Sequence, residues 1–181
     1  FNPETDALLE IGAVIIHMDD KGKVHPGDKH FSHIQPFHGA NLEQKALDFN
    51  KIVPDHPFRF AISEMEALKQ LFSFVQREVN KQRCSRAILI GHNPAFDLSF
   101  LKAAIARCKI KKQPFHSFST FDTATLAGLA YEETVLARAV IKSGGDWDDS
   151  KAHSAIYDAE QTAKLFCKIV NLWKQHQPGP A

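Results

Sequence analysis

Two aspartates in this chain lie on helix faces that otherwise carry mainly apolar side chains. Asp158 follows His153 by five positions at the start of the last long helical pattern, in the stretch HSAIYDAE. Asp97 lies in the first turn of an earlier helical pattern, directly after a short apolar strand. An isolated buried carboxylate is costly, so each must be protonated, paired or bound to a cation. Either aspartate alone fits an ordinary helix, whereas two on separate helices favour convergence on a shared cation.

The residue types around these aspartates favour an oxygen-coordinated cation. The three cysteines are far apart, and no cysteine or pair of histidines accompanies the two aspartates, so Mg²⁺ or Mn²⁺ is favoured over zinc. Two such ions about 4 Å apart are the known arrangement for in-line displacement at phosphorus. We expect His153 to lie in the stretch before its helix and to act there as general base, because imidazole exchanges protons near neutral pH.

Composition and charge limit the class of protein. The chain has 181 residues, 44% of them hydrophobic, which suits one domain with a full core. No stretch approaches the roughly 20 apolar residues of a membrane span, and no signal-peptide pattern opens the chain, so we expect a soluble, cytoplasmic protein without a membrane partner. Three widely spaced cysteines fit reduced thiols. The net charge is only +1, but two basic clusters, at 81–86 and 107–112, are candidates for a phosphate-binding patch.

The hydrophobic periodicity predicts an α/β or α+β arrangement, with strands first and strand-helix alternation afterwards. Asn41, Ser63 and Asn93 are the predicted helix caps. The predicted strands cover 7–19, 30–37, 86–91 and 115–123, and the predicted helices cover 41–50, 63–82, 94–108, 123–130, 133–142 and 154–175.

The stretches GHNPAFD and AHSAIYD, which contain Asp97 and Asp158, resemble the second and third motifs of the DEDDh 3′-to-5′ exonucleases. The resemblance covers essentially the whole chain to about residue 175. It implies an α/β fold with a ribonuclease H-like mixed sheet flanked by helices. It also implies a single exonuclease domain over 1–176, followed by a flexible tail at 177–181.

The family's first motif, an Asp-x-Glu on the opening strand, would precede Phe1. Without that strand, the strand LLEIGAVII would have an unpaired apolar edge. We therefore expect the full-length protein to extend upstream, and we expect that segment to carry an N-terminal strand with two further metal-binding carboxylates.

The resemblance also implies roles for individual residues. Asp97 and Asp158, with His153 beside them, form this chain's part of a site for two Mg²⁺ ions, with Mn²⁺ as the alternative, and His153 is the general base. Four phenylalanines match positions whose rings stack on the last bases of an RNA 3′ end: Phe1, Phe49, Phe96 and Phe118.

Three lysine and arginine positions complete the substrate-binding set that the resemblance implies. Lys45 stands where an acidic residue tied to base preference near the 3′ end is expected, so that preference is open here. Arg86 and Lys111 match a basic patch that serves the active site of the other subunit, which implies a homodimer.

The sequence therefore predicts a dimeric, Mg²⁺-dependent 3′-to-5′ exoribonuclease. Its expected substrates are short single-stranded 3′ ends of structured RNA such as tRNA, with single-stranded DNA as a further candidate. Three alternatives stay open: another DEDDh subtype, such as an oligoribonuclease or a proofreading subunit; a non-catalytic RNA-binding module; and an unrelated structural domain.

Overall fold

The computed structural model describes residues 1–175, which form four strands and six helices. The predicted tail at 177–181, like residue 176, lies outside the described residues. No helix among the described residues is long and apolar enough to cross a membrane. The elements in chain order are β1 (Glu10–Met18), β2 (Val24–His33), α1 (Gln44–Asn50), a 3-10 turn (Pro57–Arg59), α2 (Glu64–Lys81), β3 (Ala87–Gly91), α3 (Pro94–Arg107), β4 (Phe115–Asp122), α4 (Thr123–Tyr131), α5 (Leu136–Lys142) and α6 (Ala155–Gln175).

Strands β1 and β2 form an antiparallel hairpin whose register runs from Glu10 opposite His33 to Met18 opposite Val24. The connecting turn is tight because the Asp19 carboxylate accepts hydrogen bonds from two backbone N–H groups, and Gly22 supplies a φ of 76°. Strand β2 therefore begins six residues before the predicted start at residue 30. Its first half is polar and largely exposed, which is why hydrophobic periodicity missed it.

Strands β3 and β4 form a parallel pair joined by the crossover helix α3. Within the described residues this pair is separate from the β1–β2 hairpin, so the predicted single sheet is present as two two-stranded sheets. Helix α2 packs on β1, β2, β3 and α3 and contributes much of the apolar core. The residues of that core cluster are Leu68, Leu71, Phe72, Val75, Val79, Leu101 and Ala104.

The helix caps were only partly predicted. Ser63 caps α2 as expected, since its Oγ accepts a hydrogen bond from the N–H of Glu66 at 3.2 Å. Asn41 does not cap α1, which starts three residues later at Gln44 after a Glu43 that makes no side-chain cap bond. Asn93 precedes α3 but makes no side-chain cap bond either, because its backbone is left-handed, with φ 65°.

Helix α6 packs on both strands of the hairpin. Its first residue lies so close to β1 that a Cβ on Gly12 would be 2.3 Å from the Ala155 carbonyl oxygen. Further along the helix, the Asn171 amide both donates to and accepts from the backbone of Val24, at 2.8 and 2.9 Å. These contacts fix the start of α6 and its direction relative to β1.

A partly buried ion pair connects α2, α3 and the first residues of the chain. The Arg107 guanidinium donates to both carboxylate oxygens of Glu64, at 2.7 and 3.1 Å, and to the Pro3 carbonyl oxygen at 2.8 Å. Its charged carbon also lies 4.2 Å from the centre of the Phe37 ring. The Glu64 contact joins α2 to the end of α3, and the contacts with Pro3 and Phe37 hold segment 1–6 and the loop after β2 against the same end.

Candidate functional site

A cleft of about 740 Å³ separates β1 from β3 and is lined by residues of both strands. Among the described residues each of these strands is paired on one side alone, so the cleft lies between two sheets rather than on one. Asp97, Asp158 and His153 all line it. The structure therefore places Asp97 in the same cleft as His153 and Asp158, which come from a distant part of the sequence.

The junction between β3 and α3 places Asp97. Asn93, the junction residue with a left-handed backbone, donates its backbone N–H to the Asp122 carboxylate at 3.0 Å. That carboxylate also caps α4. The next turn then carries Asp97 into the cleft. Hydrogen bonds from Thr125 and from backbone N–H groups hold the pKa of Asp122 below its usual range against the opposing effect of burial. Asp122 thus stays ionised and keeps the start of α3 in place.

His92 strengthens this junction from the other side. Its ring contacts the Thr123 hydroxyl at 3.0 Å and the Thr134 carbonyl oxygen at 2.7 Å. Thr123 is fully buried, and its hydroxyl oxygen lies within hydrogen-bonding distance, 3.1 Å, of the Gly91 carbonyl oxygen. No role was predicted for His92 or Asp122, although His92 lies in the GHNPAFD stretch and Asp122 lies in the predicted strand 115–123.

Asp97 was expected on a buried helix face, but its side chain is solvent-accessible at the cleft wall. The cleft is concave, so surrounding protein still displaces much of the water that would stabilise the charge. This desolvation raises the pKa of Asp97 from 3.8 to about 6. The helical wheel gave the direction of the side chain correctly but not its depth.

Asp158 is half-buried in the first turn of α6. Burial raises its pKa, and a hydrogen bond from the His153 backbone N–H at 3.4 Å opposes the rise. His153 itself lies just before the helix, as predicted, with a left-handed φ of 71°. Its imidazole stacks on the Phe49 ring with centroids 3.9 Å apart.

Glu10, on β1, is another acid that lines the cleft, and no role was predicted for it. One of its carboxylate oxygens lies 3.0 Å from His33 Nδ1, and the other accepts a hydrogen bond from the Ala155 N–H at 3.4 Å. Glu10 therefore ties β1 to the first residue of α6. The available signal was an acidic residue within an otherwise apolar strand.

Three of the four predicted stacking phenylalanines line or border the cleft. Phe1 and Phe96 line it and meet edge to face at 5.5 Å, with 82% and 49% of their surfaces exposed. Phe49 lies against His153 and is 61% exposed. Phe118, 77% exposed, projects from β4 beside His116 and is not among the cleft residues.

The predicted basic residues fall in two places. Lys45 lies on α1, four positions before Phe49 and therefore on the same face of the helix. Arg86 and Lys111 precede β3 and β4, whereas Asp97 follows the opposite end of β3. A strand rises about 3.3 Å per residue, so the five residues of β3 put roughly 15 Å between Arg86 and the start of α3.

The donor set fits part of a divalent metal site. Asp97 and Asp158 are two carboxylates with raised pKa values in one cleft, and neither has a lysine or arginine partner among residues 1–175. Such a pair would be stabilised by a cation that prefers oxygen ligands. No group of three or more His, Cys, Asp or Glu side chains suited to a metal occurs within the described part of the chain. The described residues would thus supply some, but not all, of the ligands of such a site.

Comparison with known proteins agrees with this geometry. An exonuclease family profile matches residues 1–166. Ribonuclease T of Vibrio campbellii is 57% identical over 175 residues, covering 96% of this chain and 82% of that protein. Ribonuclease T of Vibrio parahaemolyticus is 56% identical, with the same coverage.

Among solved structures, a full-length 3′-exonuclease superposes with a TM-score of 0.65 at 14% identity, covering 93% of this chain and 84% of that one. A 3′-exonuclease that recognises the 3′ end of a histone mRNA stem-loop superposes with a TM-score of 0.59 at 14% identity, covering 94% and 84%. At this identity the two structures support the α/β ribonuclease H-like fold alone. The chain belongs to the ribonuclease T family of DEDDh exonucleases.

Proposed function

We propose that this protein is a 3′-to-5′ exoribonuclease that trims short single-stranded 3′ ends of structured RNA such as tRNA and releases nucleoside 5′-monophosphates. Single-stranded DNA is proposed as a second substrate. The observation that carries the proposal is the shared cleft: Asp97, Asp158 and His153 line it, and exposed phenylalanine rings border it. The relatives that bear the name ribonuclease T support the RNA substrate.

In this proposal Asp97 and Asp158 bind a pair of Mg²⁺ ions, with Mn²⁺ as a substitute. Two bound divalent ions would neutralise the phosphate charge and lower the pKa of the attacking water. His153 accepts the proton of that water, and the stack on Phe49 and the backbone bond to Asp158 hold its ring at the cleft. A positioned general base of this kind contributes about 10² to 10⁴ in rate.

The remaining ligands are proposed to come from a further strand that enters the cleft. The facing strands β1 and β3 each have one unpaired side among the described residues, and apolar side chains line the space between them, including Ile11, Ile15 and Leu89. A strand there would satisfy both edges, and carboxylates on it would reach Asp97 and Asp158. The Asp-x-Glu motif expected before Phe1 would supply such a strand.

The exposed rings are proposed to hold the 3′-terminal bases. Stacking of a base on an aromatic ring contributes about 1 to 3 kcal/mol and tolerates any base. Phe1, Phe49 and Phe96 are placed to do this at the cleft, and Phe118 is proposed to contact the strand further out. Lys45, one helical turn from Phe49, offers only hydrogen-bond donors to a base stacked there.

The basic patch is proposed to act across a homodimer. Arg86 lines the cleft at the end of β3 remote from Asp97, and Lys111 lies outside the cleft before β4, so neither lies beside the proposed metal ligands of its own subunit. A partner in the opposite orientation would bring its patch to RNA bound at those ligands. Mixed dimers test this: a subunit with Lys111→Glu combined with a subunit with Asp97→Asn should regain part of the activity that each homodimer lacks. Absence of recovery in verified mixed dimers would exclude action across the dimer.

The cytoplasm is the proposed location. All three cysteines are free thiols, among them Cys84, which is exposed. Free thiols are typical of a reducing compartment.

The decisive experiment replaces the proposed base. In the full-length protein, His153→Ala should reduce 3′ trimming of a tailed RNA hairpin by about 10² to 10⁴ in kcat. His38→Ala, which removes an exposed histidine outside the cleft, is the matched control and should leave the rate unchanged. Near wild-type trimming by His153→Ala would show that the base is assigned wrongly.

A further inference from the structure

The loop before His153 is held by one tyrosine of α6. The Tyr157 hydroxyl oxygen accepts a hydrogen bond from the backbone N–H of Asp148 at 2.6 Å. The Trp147 ring meets the Tyr157 ring edge to face at 5.3 Å and packs on the apolar cluster around Leu165. Tyr157 therefore contacts two consecutive loop residues: its hydroxyl bonds Asp148 and its ring packs against Trp147.

Between Asp148 and His153 the chain forms one ordered turn, at 148–152. The Asp148 carboxylate accepts hydrogen bonds from the N–H and hydroxyl of Ser150, at 3.0 and 2.6 Å, and pairs with Lys151 at 3.1 Å. These contacts lower the pKa of Asp148 to about 2. The Asp148 carbonyl oxygen also accepts the N–H groups of Lys151 and Ala152, both at 3.1 Å. Since Ala152 is buried, the position of Asp148 sets the position of the residue before His153.

Tyr157 also directly precedes Asp158, whose carboxylate binds the His153 N–H. The hydroxyl and this carboxylate thus attach both ends of the segment 148–153 to the first turn of the same helix. This double attachment holds His153 in a left-handed backbone conformation that a non-glycine residue adopts at a cost. Release of one attachment would let the backbone relax and the imidazole leave the cleft.

We propose that Tyr157 is a positioning residue. Its hydroxyl holds the turn at 148–152 and so keeps His153 beside Asp158 at the cleft. The inference deepens the proposed function, on which it rests for the role of His153. Tyr157 acts through the backbone and touches no reacting atom, so it affects the rate of chemistry rather than the affinity for RNA.

Tyr157→Phe removes the hydroxyl and keeps the ring against Trp147. In the full-length enzyme we expect kcat to fall by about fivefold to tenfold while KM stays within about twofold, since one lost hydrogen bond acts on the base alone. In metal-free protein, the amide hydrogen of Asp148 should exchange about fivefold faster or more. This second readout does not depend on activity.

Tyr131→Phe is the matched control, because it removes the chain's other tyrosine hydroxyl from a site away from the cleft. It should change neither kcat nor exchange at Asp148. Faster exchange with unchanged kcat in Tyr157→Phe would overturn the proposal, and so would unchanged exchange. If His153→Ala retains activity, the role of His153 fails; if it is inactive while Tyr157→Phe is fully active, the positioning role alone fails.

Discussion

The helices that carry Asp97 and Asp158 begin in different ways. Helix α3 follows β3 after two residues, and that short junction is held by hydrogen bonds between Asn93 and Asp122 and between the His92 ring and the Thr134 carbonyl oxygen. Helix α6 follows a loop of twelve residues, 143–154, and contacts with Tyr157 and Glu10 hold its start. The first aspartate is placed by chain connectivity, and the second by side chains that grip a long loop.

This difference predicts which half of the site is more easily disturbed. A strand-to-helix junction of two residues has few alternative conformations, because both of its ends are fixed by regular structure. A twelve-residue loop has many, and its order depends on individual hydrogen bonds. We therefore expect substitutions near α6 to affect chemistry more than equivalent substitutions near α3.

The largest effect is expected where each helix start touches a strand glycine. A Cβ at position 12 would lie 2.3 to 2.6 Å from backbone atoms of Ala155 and Ile156, whereas a Cβ at position 91 would lie 3.0 to 3.1 Å from Pro94 and Asp97. Gly12→Ala must displace the helix backbone, and a shift of about 1 Å at a reacting group costs on the order of 10²-fold in rate. Gly91→Ala should cost less in kcat.

Both variants are compared by kcat and by thermal unfolding. Equal losses of kcat in Gly12→Ala and Gly91→Ala, at equal stability, would contradict the view that the α6 side is the more sensitive half.

A moderate effect on the melting temperature is expected when either aspartate is replaced by asparagine. Desolvation raises the pKa of Asp97 in the folded state to about 6 from an ordinary value of 3.8, so the folded state binds the proton more tightly than the unfolded state. The resulting stabilisation is present at low pH and is lost as pH rises from about 4 to about 6. Asp97→Asn carries no charge and should therefore unfold at a higher temperature than wild type at pH 7 in chelator.

The melting temperatures of Asp158→Asn and Asp97→Asn can be compared in the same way. Asp158→Asn should gain less, because the His153 N–H already offsets part of the burial of that carboxylate. Added Mg²⁺ should raise the melting temperature of wild type more than that of either variant. A melting temperature of Asp97→Asn that follows wild type from pH 4 to pH 7 would show that Asp97 is not desolvated.

The smallest effect is expected at Lys45, which is exposed on α1. Lys45→Glu reverses the charge beside Phe49 and should change the relative trimming rates of tails that end in different bases by about fivefold or less, since exposed charges contribute at most about 1 kcal/mol. Lys69→Glu, an equally exposed change on α2, is the control. If Lys45→Glu leaves the base preference unaltered, Lys45 does not take part in recognition of the terminal base.

The sequence was most informative where a motif spans a short junction. All six helices and three of the four strands begin within three residues of their predicted starts, and both acidic motifs face one cleft. The hydrogen bond between Tyr157 and Asp148 had no sequence signature, because it depends on the path of a loop. The contact of Glu10 with α6 had only a weak one, an acidic residue in an apolar strand, because the partner is distant in the sequence. The left-handed backbone of Asn93 was missed for a related reason, because Asp122, which fixes it, comes from another strand.

The ion pair at Arg107 has a consequence for the segment 1–6. Phe1 touches Phe96 in the first turn of α3, while the Pro3 carbonyl is bound by Arg107 in its last turn, so the segment is attached to the helix at two separate points. With two separated attachment points, the segment detaches as one cooperative unit, and fraying at either point alone gains little entropy. Protease susceptibility of this edge should therefore report a single opening equilibrium.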